Sequence, residues 1–191
     1  MLETNPFSIL AETVSPFAMQ SFIIAMILLI AFGTIIQMIH HKNLTYFLNN
    51  AKKAKLQATR EIGTGERVSI LAKTAVVDIG TTAELGFGKR RLSHVLGMYG
   101  TIIFWVSSAM LVFCYTGADK SSSTIWSMLW HVGAILTCIG GYWFWLFLRV
   151  DVSAEAHPWY RIIKADLFVL ALLACSTFGL AWSYTQFNGQ V

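Results

Sequence analysis

Four stretches without a single charged side chain dominate this chain: residues 13–41, 92–118, 121–148 and 167–191, of 29, 27, 28 and 25 residues. A helix of about 20 predominantly apolar residues crosses the hydrocarbon core of a bilayer. Each stretch exceeds that length, with residues left over for its ends. The expected fold is therefore all-α, an integral membrane bundle of four transmembrane helices forming one domain over residues 1–191. The spans fall at about 17–39, 94–116, 125–148 and 167–184. Composition agrees: 13% of residues are charged, against about a quarter in a soluble domain.

The positive residues predict an orientation. Ten of the fourteen Lys and Arg lie in the basic loop 42–91 and three more in 149–166, while the remaining link carries only Lys120. Lys and Arg flanking a span stay on the cytoplasmic side, so both basic segments are expected inside and both termini outside. The net charge of +4 then reports topology. No nucleic-acid partner is expected, because basic and aromatic residues do not interleave outside the membrane flanks. The first span reads as retained, since its flank is acidic and its apolar run is too long for a signal peptide.

Within the long loop, residues 43–61 extend the first span as a basic helix, and Gly63 and Gly65 interrupt it. Over 66–79, Val68, Leu71, Ala72, Ala75, Val76 and Ile79 recur at helical spacing opposite Arg67, Ser69, Lys73, Thr74 and Asp78. Such a pattern suits an amphipathic helix in the headgroup plane. It anchors the loop or offers a dock for a cytoplasmic partner. In the spans, Gly133, Thr137 and Gly141, and Gly97, Gly100 and Ser107, form small-residue faces that let helices approach closely. Making room for a flat macrocycle is a second explanation. Cys114, Cys138 and Cys175 are expected to be small core residues, with no metal-binding spacing.

Histidines are the candidate metal ligands. His131 sits about two turns inside the third span, where an unpaired imidazole is unfavourable. It either serves a redox group or is hydrogen-bonded to a neighbouring helix, with Ser107 or Ser108 as partners. His94 opens the second span, His40 and His41 end the first, and His157 lies in the other inner loop. His131 is about 27 Å of helix from Arg149 at the inner edge, so His94 and His131 cannot share one iron. A haem at His94 needs His157, His40 or His41 opposite it, and His157 is the preferred partner. Tyr99, His94, His157 and Lys164 are candidates for a quinone site on the inner side.

The run Gly88-Lys89-Arg90-Arg91-Leu92-Ser93-His94-Val95-Leu96-Gly97-Met98-Tyr99-Gly100, after Val76-Val77-Asp78, resembles the membrane cytochrome b subunits of the respiratory nitrate reductase gamma family. It looks closest to the branch serving quinone-interacting complexes of sulfur metabolism, which includes the membrane anchor of adenylylsulfate reductase. His94 matches that family's ligand position and Met98-Tyr99-Gly100 the aromatic-Gly that follows. His131 resembles its outer-side ligand, and Asp166-Leu167-Phe168 the opening of its last span. The resemblance implies haem b with His94 and His131 as iron ligands; His157, opposite His94, is the third candidate ligand, and Tyr99 is a candidate cofactor-binding residue. It also implies quinone as substrate and the cytoplasmic redox subunits of a hetero-oligomeric complex as partners in the inner membrane. Phe104 stands where a deeper histidine is expected, and the third span ends in Arg149 without an inner histidine. A haem-free relative, a structural membrane anchor that binds no redox group, is the alternative. A transporter ranks last, because no span interior holds a charge or a proline.

Overall fold

A computed structural model describes residues 2–40, 42–60, 63–86, 88–116, 124–150, 157–164 and 166–189. Four helices are long and apolar enough to cross a membrane: α1 (Pro16–His40), α4 (Lys89–Cys114), α5 (Thr124–Trp143, prolonged by a π-helical turn to Leu148) and α6 (Asp166–Phe187). The chain is a multi-pass membrane protein by the length and composition of these helices. Helix α4 starts five residues before the expected edge. Arg90 and Arg91 therefore belong to its first turn, and the Arg91 Nε donates to the Thr81 carbonyl at 2.8 Å.

Between α1 and α4 run two further helices, α2 (Asn43–Gln57) and α3 (Thr64–Lys73), the latter prolonged by a π-helical turn, Thr74–Gly80. The expected continuation of the first span into a basic helix is not continuous. Lys42 takes a left-handed conformation with φ 51°, which turns the chain between α1 and α2. His41 lies outside the described residues. Helix α3 and its π-helical turn cover the predicted amphipathic stretch, and Tyr99 donates a 2.6 Å hydrogen bond to the Gly80 carbonyl at its end.

Helices α4 and α5 form an antiparallel seam built on missing side chains. A methyl placed on Gly133 would lie 2.5 Å from the Phe104 amide nitrogen; one on Gly140, 2.4 Å from that of Gly97; one on Gly100, 2.5 Å from that of Thr137. Backbones this close leave no space for a macrocycle between the two helices, so helix packing accounts for these glycines. Burial of apolar surface gives helices in lipid no reason to associate, and close van der Waals contact takes its place. Phe104, Leu111, Trp130 and Ala134 form the core of the bundle, with the Trp130 indole N–H donating to Ser108 at 3.0 Å.

Helix α6 packs against α5, with Gly179 beside the Trp130 ring. The N-terminal segment plugs the end of the bundle opposite the basic loops. Pro6 is fully buried and its carbonyl accepts from the Trp182 indole at 2.9 Å. The Asn5 side chain donates to the Tyr115 carbonyl at 3.2 Å. Helix α1 touches the bundle near that same end, where Gln20 donates to the Val112 carbonyl at 3.2 Å. The rest of α1 faces outward.

Candidate functional site

The side chains that carry chemistry separate into three places along the bundle. The deepest is His131, fully buried at the α5–α6 contact. Its Nδ1 lies 2.7 Å from the Ser127 carbonyl and its Nε2 2.7 Å from the Ser183 hydroxyl. A carbonyl only accepts, so Nδ1 carries the hydrogen and Nε2 receives the hydrogen of Ser183. Both nitrogens of a neutral ring are engaged. The partners are not Ser107 or Ser108: Ser107 bonds within its own helix and Ser108 receives Trp130. Replacing Ser183 by Ala strands Nε2 in the core. This change is expected to lower stability by about 1–2 kcal/mol, read as a fall in the thermal midpoint of the detergent-solubilised protein.

The second place is a polar cage at the basic end. Arg149 is fully buried, although it stands where the sequence marks the edge of a span. Its Nε donates to Asp166 at 3.2 Å and its Nη2 to the other carboxylate oxygen. The carbonyls of Pro158 at 2.8 Å, His157 at 3.4 Å and Arg161 accept the remaining hydrogens. Trp145 lies under the guanidinium, 4.3 Å from it. The His157 amide returns a bond to the Arg149 carbonyl at 3.0 Å. Through its backbone, His157 thus helps hold the link between α5 and α6.

Third is a groove of about 640 Å³ at the same end, between α4, α5 and α6. From α4 it receives Arg90, His94, Gly97, Thr101 and Trp105, positions that share one helical face. The 15 positions from Arg90 to Trp105 correspond to about 22 Å along the helix. Phe144 from α5 and Phe168 and Leu172 from α6 make the opposite wall. A methyl on Gly97 would meet nothing within 4 Å, so Gly97 leaves part of the floor bare. The groove is apolar along its length and polar at its mouth, where Arg90 and His94 are exposed. Among the described residues no carboxylate lines it.

The predicted site residues are only partly brought together. His94 lines the groove. Tyr99 faces another side of α4, where its hydroxyl ties down the loop at Gly80. His157, Lys164 and His40 are not among the groove's lining residues, and His131 is nine positions from Gly140, about 13 Å up α5. An axial pair for haem needs two imidazoles facing each other across the iron. Among the described residues the groove receives one imidazole, and His131 binds iron only by giving up Ser183. The described donors, which do not include His41, do not assemble a bis-histidine haem in this arrangement. Nor do three or more His, Cys, Asp or Glu gather to hold a metal ion among the described residues.

Sequence reasoning did not find the Arg149–Asp166 pair or the parts of Arg90 and Thr101 in the groove. The first had a signal, a lone Arg ending one span and a lone Asp opening the next. The second had one as well: polar residues at seven- and four-residue spacing from His94 on an otherwise apolar helix. No family model matches the chain, and neither a curated protein nor a solved structure matches it, so a functional reading rests on this geometry.

Proposed function

We propose that this chain is the membrane subunit of a redox complex, anchoring a cytoplasmic oxidoreductase and exchanging electrons between that partner and an isoprenoid quinone held in the groove. The observation that carries this reading is the groove itself. It offers an apolar channel about 22 Å long, aromatic walls at Trp105, Phe144 and Phe168, and a polar mouth at Arg90 and His94. Quinones ask for that combination, a few oriented polar groups at the ring and apolar surface for the tail.

The basic end faces the cytoplasm in this proposal and both termini face the opposite side of the inner membrane, following the positive residues. Helix α3 and its π-helical turn lie in the headgroup plane. Its exposed apolar residues Val68, Leu71, Val76 and Ile79 support that placement, and so does the Tyr99 bond that ties its end beside α4. The cytoplasmic redox subunits would dock on the same basic face. A quinone reduced in the groove takes up two electrons from the partner's redox centre and two protons from the cytoplasmic side. Haem b enters no step, because the described donors do not assemble its axial pair.

A second reading, a structural anchor without a redox group, is favoured by the engaged ring of His131 and the closed α4–α5 seam. Titration of the purified protein in lipid nanodiscs with a benzoquinone bearing one isoprene unit separates the two. The quinone reading expects saturable quenching of tryptophan fluorescence, since Trp105 lines the groove. Absence of saturable quenching leaves the anchor.

A further inference from the structure

We propose that the groove seats the ring of a 1,4-quinone lengthwise over Gly97, with one carbonyl hydrogen-bonded to His94 and the other to the hydroxyl of Thr101. The proposal rests on the quinone reading above and adds the position of the ring and the two groups that grip it.

Three observations converge on this seat. First, Gly97 is the groove-lining glycine of α4, and a methyl on it would meet no atom within 4 Å. Its neighbours in the seam differ: Gly100, Gly133 and Gly140 are filled against by backbone at 2.4–2.5 Å. The seam needs those three glycines for packing, while the space over Gly97 is left for a flat body. Second, His94, Gly97 and Thr101 follow one another along one face of α4. His94 and Thr101 are seven positions apart, about 10.5 Å of helix rise. A flat ring lying along the helix over Gly97 therefore has a polar side chain of α4 on the groove lining at each of its ends. Third, the Thr101 hydroxyl spends its hydrogen on a long contact only. Thr137 spends its own on the Gly133 carbonyl at 2.9 Å. Its contact with Thr101 is 3.5 Å, at the long limit of a hydrogen bond. Turning Thr101 toward a ligand in the groove loses little.

The ring then lies one to two turns inside the membrane, with His94 between it and the interface. The tail continues past Trp105 or leaves sideways into lipid. A phospholipid chain also suits an apolar groove, but it has no second polar atom for Thr101 and needs no bare floor at Gly97.

The test uses the full chain in phosphatidylcholine nanodiscs and the one-isoprene benzoquinone, with binding followed by tryptophan quenching. Gly97→Leu is expected to weaken binding at least 100-fold with an unchanged thermal midpoint, because the new side chain grows into the groove and not into a helix. Gly97→Ala, with a methyl in open space, is the milder form and is expected to weaken binding about fivefold. Thr101→Val is expected to weaken it about tenfold, the worth of one hydrogen bond. The same change is expected to leave untouched the weaker binding of an analogue that carries a methyl group in place of the far carbonyl oxygen. Wild-type affinity in Gly97→Leu and Gly97→Ala overturns the seat while leaving quinone binding in place. Unchanged affinity in Thr101→Val overturns the two-point grip. Displacement of the quinone by phosphatidylglycerol at lipid-like concentrations would show a lipid groove and overturn the seat. Absence of quinone binding to the wild type removes both this inference and the function it rests on.

Discussion

Arg149→Met is expected to destabilise the bundle by about 3–5 kcal/mol, the range for removing one partner of a buried ion pair. The guanidinium is fully buried and holds both oxygens of Asp166 together with the carbonyls of His157, Pro158 and Arg161. Once it is gone, a carboxylate with little access to water keeps, among the described residues, the Ile163 amide 2.7 Å away. Three carbonyls lose a donor at the same time. Most of the expected loss comes from these stranded groups and not from the attraction of the pair itself. Arg149→Met combined with Asp166→Leu is accordingly expected to be milder than Arg149→Met alone, since no buried charge remains. Thermal midpoints of the two variants in detergent, with limited proteolysis of the 150–165 link, provide the measurement. A single variant within about 1 kcal/mol of wild type would mean that water reaches the pair and screens it.

Gly133→Val is expected to separate α4 from α5 and lower stability by about 3 kcal/mol, the upper part of the usual range for overpacking. Its first added carbon would lie 2.5 Å from the Phe104 nitrogen, 2.9 Å from the Phe104 Cα and 3.0 Å from the Gly100 carbonyl oxygen. All three are backbone atoms of the facing helix. They move only if the whole helix moves, and Phe104 and Trp130 would lose their packing at 5.1 Å between ring centroids. Gly33→Ala on α1 is the matched control. Nothing stands within 4 Å of the new methyl there, so a change near zero is expected. Equal thermal midpoints for Gly133→Val and wild type would contradict the seam.

Element identity along this chain was legible because charge avoidance in lipid is a one-dimensional property. Four uncharged runs sufficed to place α1, α4, α5 and α6, with ends displaced by a few residues. The amphipathic repeat likewise located α3 and its π-helical turn. The turn at Lys42 was not legible, since a left-handed residue there leaves no mark in hydropathy. Of the candidate residues, His94 lies at the mouth of the groove. Tyr99 lies on another side, because five positions rotate it about 140° around the helix from His94. His131 was recognised as a residue that must be paired, yet its partner is Ser183, 52 positions away.

From its order of residues alone, the chain is determined to have lipid as its solvent, four helices to cross it, and one deep imidazole that needs partners. The tertiary structure decided how each helix is turned about its axis. In lipid every face of an apolar helix is equally at home, so hydrophobicity does not select one. Contact between bare backbones does. The fit of Gly133 to Phe104 and Gly140 to Gly97 sets the rotation of α4 and α5. That rotation turns His131 toward Ser183, closes Arg149 onto Asp166, and leaves the open side of Gly97 facing a groove.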